Sequence, residues 1–292
     1  MQRRSLLALL PALLLTATVD TGAAAAEPVK FAVTDIEGLE TLQREFGPFR
    51  ELLSELTEVD IELFAVNSRT VAAEALRNEQ VDFVLTGPAE YVVMHKLTNA
   101  EPVVAFSRPD YFSAIMVMAD SRFQRPEDLK GQRVAFGDIG STSNHLAPAQ
   151  ILADYGVTDI EPFHTSTDIA HEALKNGDVA ALGVNYRTWL QLRDRDPDLP
   201  PGAFRAMLRS GDLPNDLLMV GPHVDPDTTK AFETAFEQHS DRLIEAILAG
   251  GEENLKYEGM QFVASVEDRD YDYVRSMYAT IGFPEYAEFV GD

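Results

Sequence analysis

The chain has 292 residues, no cysteine, 24 lysines and arginines against 48 aspartates and glutamates, and a formal net charge of −24. The lack of cysteine excludes disulfides, thiol catalysis and lipid attachment at an N-terminal cysteine. So acidic a surface argues against nucleic acid and anionic membrane as partners, and any anion site must work through local donors against the global field.

Residues 1–26 read as an address. Met1-Gln-Arg-Arg-Ser5 is a basic n-region, Leu6 to Leu15 a short apolar run, and Ala23 to Ala26 a small-residue cleavage site ahead of Glu27. This predicts a signal peptide and a periplasmic destination without a lipid anchor. The run is too short to span a bilayer. Arg3-Arg4 suits twin-arginine export or an ordinary n-region. Loss of Arg3, Arg4 and Asp20 removes a net +1, so the rest of the chain stands at −25. That remainder is long enough for two lobes. A halophilic source would explain the acidity; so would any very acidic secreted protein.

Val29–Val33 predicts a first strand, and apolar residues from Leu39 to Leu56 recur at helical spacing. Val59–Val66 alternates as a strand, Ser68 caps a helix to Arg77, and Val81–Leu85 is a third strand running into Thr86-Gly-Pro-Ala-Glu-Tyr91 and a further helix. Glu101–Phe106 and Tyr111–Ala119 are strand-like, the second long enough to cross between lobes. Gln132–Phe136 and Ile160–His164 predict strands, Thr167–Asn176 a helix, and Val179–Val184 a strand ending in a loop at Asn185-Tyr186-Arg187. A polar, proline-rich stretch spans Arg193 to Gly202; Phe204–Arg209 and Leu217–Gly221 follow as strands, the latter a return crossing. Helices close the chain at Asp227–Leu248 and Asp270–Ile281. Strands alternating with helices predict parallel βαβ units, with ligands at the strands' carboxyl ends. The expected division is 27–116 with 214–292 as one lobe and 117–213 as the other, and no sequence repeat of 20–50 residues is visible.

The most informative stretch is Val134-Ala-Phe-Gly-Asp-Ile-Gly-Ser-Thr-Ser-Asn-His-Leu-Ala-Pro148. A strand meets a glycine-punctuated turn, three consecutive hydroxyls and a helix whose first turn carries no acid. Ser141, Thr142 or Ser143 can serve as N-cap. Uncommitted N–H groups and the helix dipole make such a start an oxyanion receptor, or simply a capped helix.

Two motifs together resemble the periplasmic phosphonate/phosphite/phosphate-type solute-binding proteins of ATP-driven importers. Val81-Asp-Phe-Val-Leu-Thr-Gly-Pro-Ala-Glu-Tyr91 is similar to the family's D-x-x-x-x-G-P-x-x-Y, and Gly140-Ser-Thr-Ser-Asn-His-Leu-Ala-Pro148 to its S-T-S-x-x-x-x-P loop. The resemblance implies an α/β, two-lobed periplasmic binding protein fold with two crossing strands, type II-like, closing on a small phosphorus oxyanion. It further implies that Ser141, Thr142 and Ser143, with the amides after them at Asn144, hold the oxyanion, and that Tyr91 faces the cleft. Many members open the second helix with Asp-Tyr, where this chain has Ser68-Arg69. If Arg69 takes the tyrosine's place, a guanidinium fork faces the ligand and favours a more highly charged or more symmetric oxyanion.

Asn185 is a further candidate, because an amide can donate to an oxyanion or accept from a protonated one. Asp216 could accept a ligand proton. Asp216 and Glu37 are the carboxylates that could hold an ammonium group, but neither matches a motif, which disfavours 2-aminoethylphosphonate and leaves phosphate, phosphite and methylphosphonate open. The six histidines show no metal spacing, and no cofactor is expected. There is no G-x-S-x-G elbow, HExxH or Walker loop, so an enzyme is not expected. The expected partners are the ligand and an inner-membrane ABC permease. The alternatives are a ligand sensor for a membrane histidine kinase, or a binder of another anion such as a sulfonate or an arsenic oxyanion.

Overall fold

Two sheets carry the chain, and each is completed by a strand that arrives from the other half. A computed structural model describes residues 27–290 except 35, 37 and 198. The predicted signal peptide and Glu37 therefore lie outside the described residues.

The first sheet contains β1 (Val29–Val33), β2 (Ile61–Leu63), β3 (Phe83–Thr86), β4 (Glu101–Phe106), β10 (Asp216–Val220) and β11 (Phe262–Val263). The second contains β5 (Ser113–Met118), β6 (Arg133–Phe136), β7 (Glu161–His164), β8 (Ala181–Asn185) and β9 (Phe204–Arg209). Their orders are β11-β4-β10-β3-β1-β2 and β7-β6-β8-β5-β9. Without the two-residue edge strand β11, these are the same pattern: three parallel strands, one antiparallel strand, then a last strand. The antiparallel members are β10, between β3 and β4, and β5, between β8 and β9. The two lobes thus repeat one topology that no sequence repeat announces.

All of β5 belongs to the second sheet, Ser113 pairing with Asn185, so the chain passes from the first sheet to the second within 107–112. The return lies between β9 and β10, within 210–215. An apolar run such as Ser113–Met118 packs equally well in either sheet, and its sequence alone does not choose.

Helices cover both faces, which is why the central strands are almost continuously apolar. Helix α1 (Leu39–Thr57) buries Leu42, Phe46, Phe49 and Leu53, the periodic stripe read from the sequence. Helix α2 (Arg69–Arg77) starts at Ser68, whose Oγ accepts from the Val71 amide at 3.2 Å, and α3 (Pro88–Thr98) follows β3 through Gly87 alone. In the second lobe, α5 (Thr167–Asn176) is capped by Ser166. The expected helix over 227–248 is two, α7 (Pro226–Gln238) and α8 (Ser240–Leu248), broken at His239. The expected strand over 59–66 narrows to Ile61–Leu63.

The loop predicted at Asn185-Tyr186-Arg187 is instead a cap and a helix start, α6 (Tyr186–Arg195). With Leu192 as its one buried residue, α6 lacks the apolar stripe that periodicity detects. After Ser141 the chain makes a π turn (Thr142–Leu146) before α4 (Ala147–Asp154). Pro148 has no N–H to give the Asn144 carbonyl four residues back. That carbonyl accepts from the Gly137 amide at 2.9 Å instead, which ties the widened turn to the end of β6.

Helix α9 (Asp272–Thr280) joins the lobes from the side. Val274, Met277 and Tyr278 share an apolar cluster with Leu146 and Ala147 of the second lobe, and the Thr280 hydroxyl donates to Gln150 Oε1 at 2.6 Å. Among the described residues, no helix is long and apolar enough to cross a membrane.

Candidate functional site

The strand ends bring two short segments face to face, the S-T-S turn of the second lobe and the Gly87-Pro88-Ala89 start of α3 in the first. They touch directly: the Ala89 amide donates to Thr142 Oγ1 at 3.0 Å, and Thr142 is only 5% exposed. Ala89 is held from behind, its carbonyl accepting from the buried Tyr278 hydroxyl at 3.1 Å.

Within the turn each candidate has a defined place. Ser141 is the cap, its Oγ accepting from the Asn144 amide at 3.3 Å. Ser143 is buried; its carbonyl accepts from the Ser113 hydroxyl at 2.6 Å and its side chain hydrogen-bonds the Tyr111 hydroxyl. Asn144 turns its Oδ1 to the Asn185 amide at 2.8 Å, linking the turn to the end of β8. His145 supports it from below. Its Nδ1 accepts from the Gly140 amide at 3.0 Å, so the ring is neutral there. Burial first, and then the neighbouring His164, pushes His145 down to about 4.

Asn185 is 3% exposed. Its Oδ1 accepts from the Arg187 and Thr188 amides at 2.9 and 3.2 Å, capping α6. A side-chain oxygen so used leaves its NH2 as a pure donor. That nitrogen is buried and has no hydrogen-bond acceptor among the described residues.

The first-lobe wall is charged. Arg69 Nε meets Glu90 Oε1 at 2.8 Å, and Arg69 Nη1 donates to the Ile139 carbonyl of the second lobe at 3.3 Å. A β-carbon at Gly140 (φ +86°) would sit 2.2 Å from the Val290 carbonyl oxygen and 2.7 Å from Arg69 Nη1, so both backbone angle and space demand glycine. Deeper, Arg108 Nη1 lies 3.3 and 3.5 Å from the two Asp216 oxygens and stacks over Tyr111, Cζ 3.9 Å from the ring centre. Burial, then the Asp216 and Glu90 carboxylates, raise the Tyr111 hydroxyl's pKa against the pull of Arg108, keeping it protonated.

Of the sequence candidates, Ser141, Thr142, Ser143, Asn144, Arg69 and Asn185 gather around the S-T-S turn. Asp216 opens β10 as a buried residue tied to Arg108 and Tyr257, the latter hydroxyl 2.9 Å away, with Lys256 Nζ at 3.8 Å. The Tyr91 hydroxyl donates to Asp268 Oδ1 at 3.0 Å and its ring packs on Tyr271. Although burial opposes it, hydrogen bonds from Arg275 and Tyr91 hold the Asp268 carboxyl below its ordinary range. Four residues not singled out from the sequence contact these candidates: Glu90 with Arg69, Arg108 with Asp216, and Tyr111 and Ser113 with Ser143. Glu90 lay inside the quoted motif, yet a charge at a helix start reads as solvated. Elsewhere, His171, Glu172 and Asp196 bring one ligand atom each close together, but the Lys175 ammonium is bonded to both carboxylates.

Two lobes joined by two crossings, with donors gathered between them, define a solute-capturing protein of the two-lobed periplasmic binding class. The chain belongs to the family described as ABC transporter, phosphonate, periplasmic substrate-binding protein, whose model matches residues 31–271. It is similar to the phosphate-import protein PhnD of Mycolicibacterium smegmatis, 26% identical over 278 residues, covering 88% of this chain and 86% of that one. Two solved structures share its fold. PhnD1 of Prochlorococcus marinus, in complex with methylphosphonate, superposes with a TM-score of 0.63 at 16% identity, covering 87% of this chain and 98% of its own. A binding protein component of an ABC phosphonate transporter from Pseudomonas aeruginosa gives 0.62 at 19% identity, covering 86% and 85%. The protein is the solute-binding component of an ABC importer.

Proposed function

We propose that the cleft captures a small phosphorus oxyanion, phosphate, phosphite or an alkylphosphonate such as methylphosphonate, and hands it to the permease. The observation that carries this reading is the Asn185 side-chain amide, a buried NH2 with no hydrogen-bond acceptor among the described residues, on the residue whose backbone N–H binds Asn144 of the S-T-S turn. A buried donor without a partner is unfavourable by about 1–3 kcal/mol, and an oxyanion supplies the acceptor. Ser141, Thr142, Ser143 and the Asn144 amide form the rest of this neutral jaw, and Arg69 supplies positive charge at its rim. Asp216 is engaged by a guanidinium and a phenol, which leaves it poorly placed to hold a ligand's ammonium group.

The lobes are taken as 27–106 with 216–290, and 113–209, hinged at the two crossings. Closure is a shift between open and closed forms, the ligand binding the closed form better because both jaws contact it only there. The role is capture and release, without chemistry, after export behind the predicted signal peptide. The relatives support the ligand class: one imports phosphate by its name, and one was solved with methylphosphonate.

Titration calorimetry against phosphate, phosphite, methylphosphonate, 2-aminoethylphosphonate, sulfate and arsenate tests the reading. Saturable one-to-one binding is expected for at least one of the first three, and weaker or no binding for 2-aminoethylphosphonate. Binding of a sulfonate or an amine, with none to any phosphorus oxyanion, would overturn it.

A further inference from the structure

Glu90 is an odd residue to find at an anion site. It lies in the first turn of α3, one residue beyond the amide that meets Thr142, and is only 4% exposed. Its Oε1 is held by Arg69 Nε at 2.8 Å. Its Oε2 folds back over the helix start, where a β-carbon on Gly87 would come within 2.6 Å of it and 4.0 Å of Asp216 Oδ1. The charged and titratable groups around it are Arg69 on α2, Asp216 on β10, Tyr278 on α9 and Tyr111 on the first crossing.

An ionised carboxylate can only accept hydrogen bonds. Beside a bound anion it repels, unless the anion brings a proton to lie between the two oxygens. Near neutral pH, phosphate and phosphonates keep an acidic P–OH proton available, whereas sulfate and sulfonates have none. The global field and the neutral jaw do not separate these ligands, since both kinds are tetrahedral oxyanions that Ser141–Asn144 and Asn185 can hold alike. Arg69 alone would favour either. Adding Glu90 changes the balance: a protonated oxyanion gains an acceptor, and an unprotonated one meets a buried like charge. A site with a buried acceptor rejects an analogue that lacks the hydrogen far more strongly than an apolar pocket rejects a change of size.

We propose that Glu90 is a specificity-determining residue, accepting the P–OH proton of the ligand and excluding oxyanions that carry none. This rests on the phosphorus-oxyanion reading above and goes beyond it in naming the group that refuses sulfate. Gly87 is then required because a side chain there would displace the Glu90 carboxylate.

The test is calorimetry of the wild-type protein, Glu90→Gln, and the double variant Arg69→Gln/Glu90→Gln, against inorganic phosphate, methylphosphonate and sulfate at one near-neutral pH. The wild type should prefer phosphate or methylphosphonate over sulfate by at least 100-fold. Glu90→Gln, which can donate as well as accept, should narrow that ratio by at least tenfold, chiefly by gaining sulfate. The double variant keeps the comparison available if loss of the carboxylate facing Arg69 prevents the single variant from folding, and it should narrow the ratio likewise. A wild type that binds a phosphorus oxyanion while folded variants show its unchanged ratio would overturn the role of Glu90 alone. A wild type that binds none of the phosphorus ligands would overturn this inference together with the reading beneath it.

Discussion

The two jaws of the cleft are built from opposite materials. The second-lobe jaw is neutral: three consecutive hydroxyls, the Asn144 amide and the Asn185 carboxamide, all on one turn and one helix cap. The first-lobe jaw is made of charge pairs, Arg69 with Glu90 and Arg108 with Asp216. In the proposed reading the neutral jaw binds an anion through local donors inside a chain of net charge −24. The charged jaw nearly cancels itself, and its proposed part is orientation and selectivity more than attraction. In the proposed reading, capture and discrimination are divided between the lobes.

That division can be broken at several points. The largest effect is expected at the hinge end of the charged jaw. Asp216→Ala removes the buried carboxylate that the Arg108 guanidinium and the Tyr257 hydroxyl both engage. Urea unfolding should show a loss of about 3–5 kcal/mol, as for other broken buried pairs. An unchanged midpoint would mean that Arg108 finds water instead. On the neutral jaw, Thr142→Val removes the acceptor of the Ala89 amide and a ligand donor, and affinity should fall by roughly 1–3 kcal/mol by calorimetry. Asn185→Asp keeps the cap, since aspartate caps a helix as well as asparagine. Yet it replaces the buried NH2 with a carboxylate oxygen, so phosphate affinity should drop by at least about tenfold, ~1.4 kcal/mol, with melting temperature little changed. Equal binding by this variant would sever Asn185 from the ligand.

A smaller effect belongs to His145. Its folded value, about 4, lies below the ordinary 6.5, so as pH falls from about 6.5 towards 4 the unfolded chain takes up a proton that the folded chain refuses. The histidine is therefore neutral and without penalty above pH 6.5, and stability declines through that window as pH drops. His145→Asn can still accept from the Gly140 amide and should flatten this part of the pH dependence of the melting temperature. The same slope in both proteins would assign the acid sensitivity elsewhere. The smallest effect is expected for Tyr91→Phe, about 1 kcal/mol of stability from the lost bond to Asp268, with affinity unaltered. A clear loss of affinity would return Tyr91 to the cleft wall.

The same contrast explains what was legible beforehand. The neutral jaw is written consecutively, Gly140-Ser-Thr-Ser-Asn144 after an apolar strand, so its chemistry and its place at a strand end were readable from a few neighbouring residues. The charged jaw joins residues 69 with 90 and 108 with 216, pairings set by the crossing strands and invisible in a chain with 48 carboxylates. Periodicity found α1 because its buried stripe is regular, and missed α6 because Leu192 alone is buried. The π turn at Thr142–Leu146 has no periodic signature in so short a stretch. The strands β5 and β10 were recognised as apolar segments, but only sheet pairing shows which sheet each one joins.

The central claim, that the S-T-S turn and Asn185 hold a phosphorus oxyanion between the lobes, is met most directly by a crystal structure with methylphosphonate bound. The account predicts a phosphonate oxygen within hydrogen-bond distance of Asn185 Nδ2, with others on the Ser141–Ser143 hydroxyls and the Asn144 amide. Methylphosphonate bound away from that turn, or Asn185 Nδ2 facing water in the closed, ligand-bound form, would contradict it.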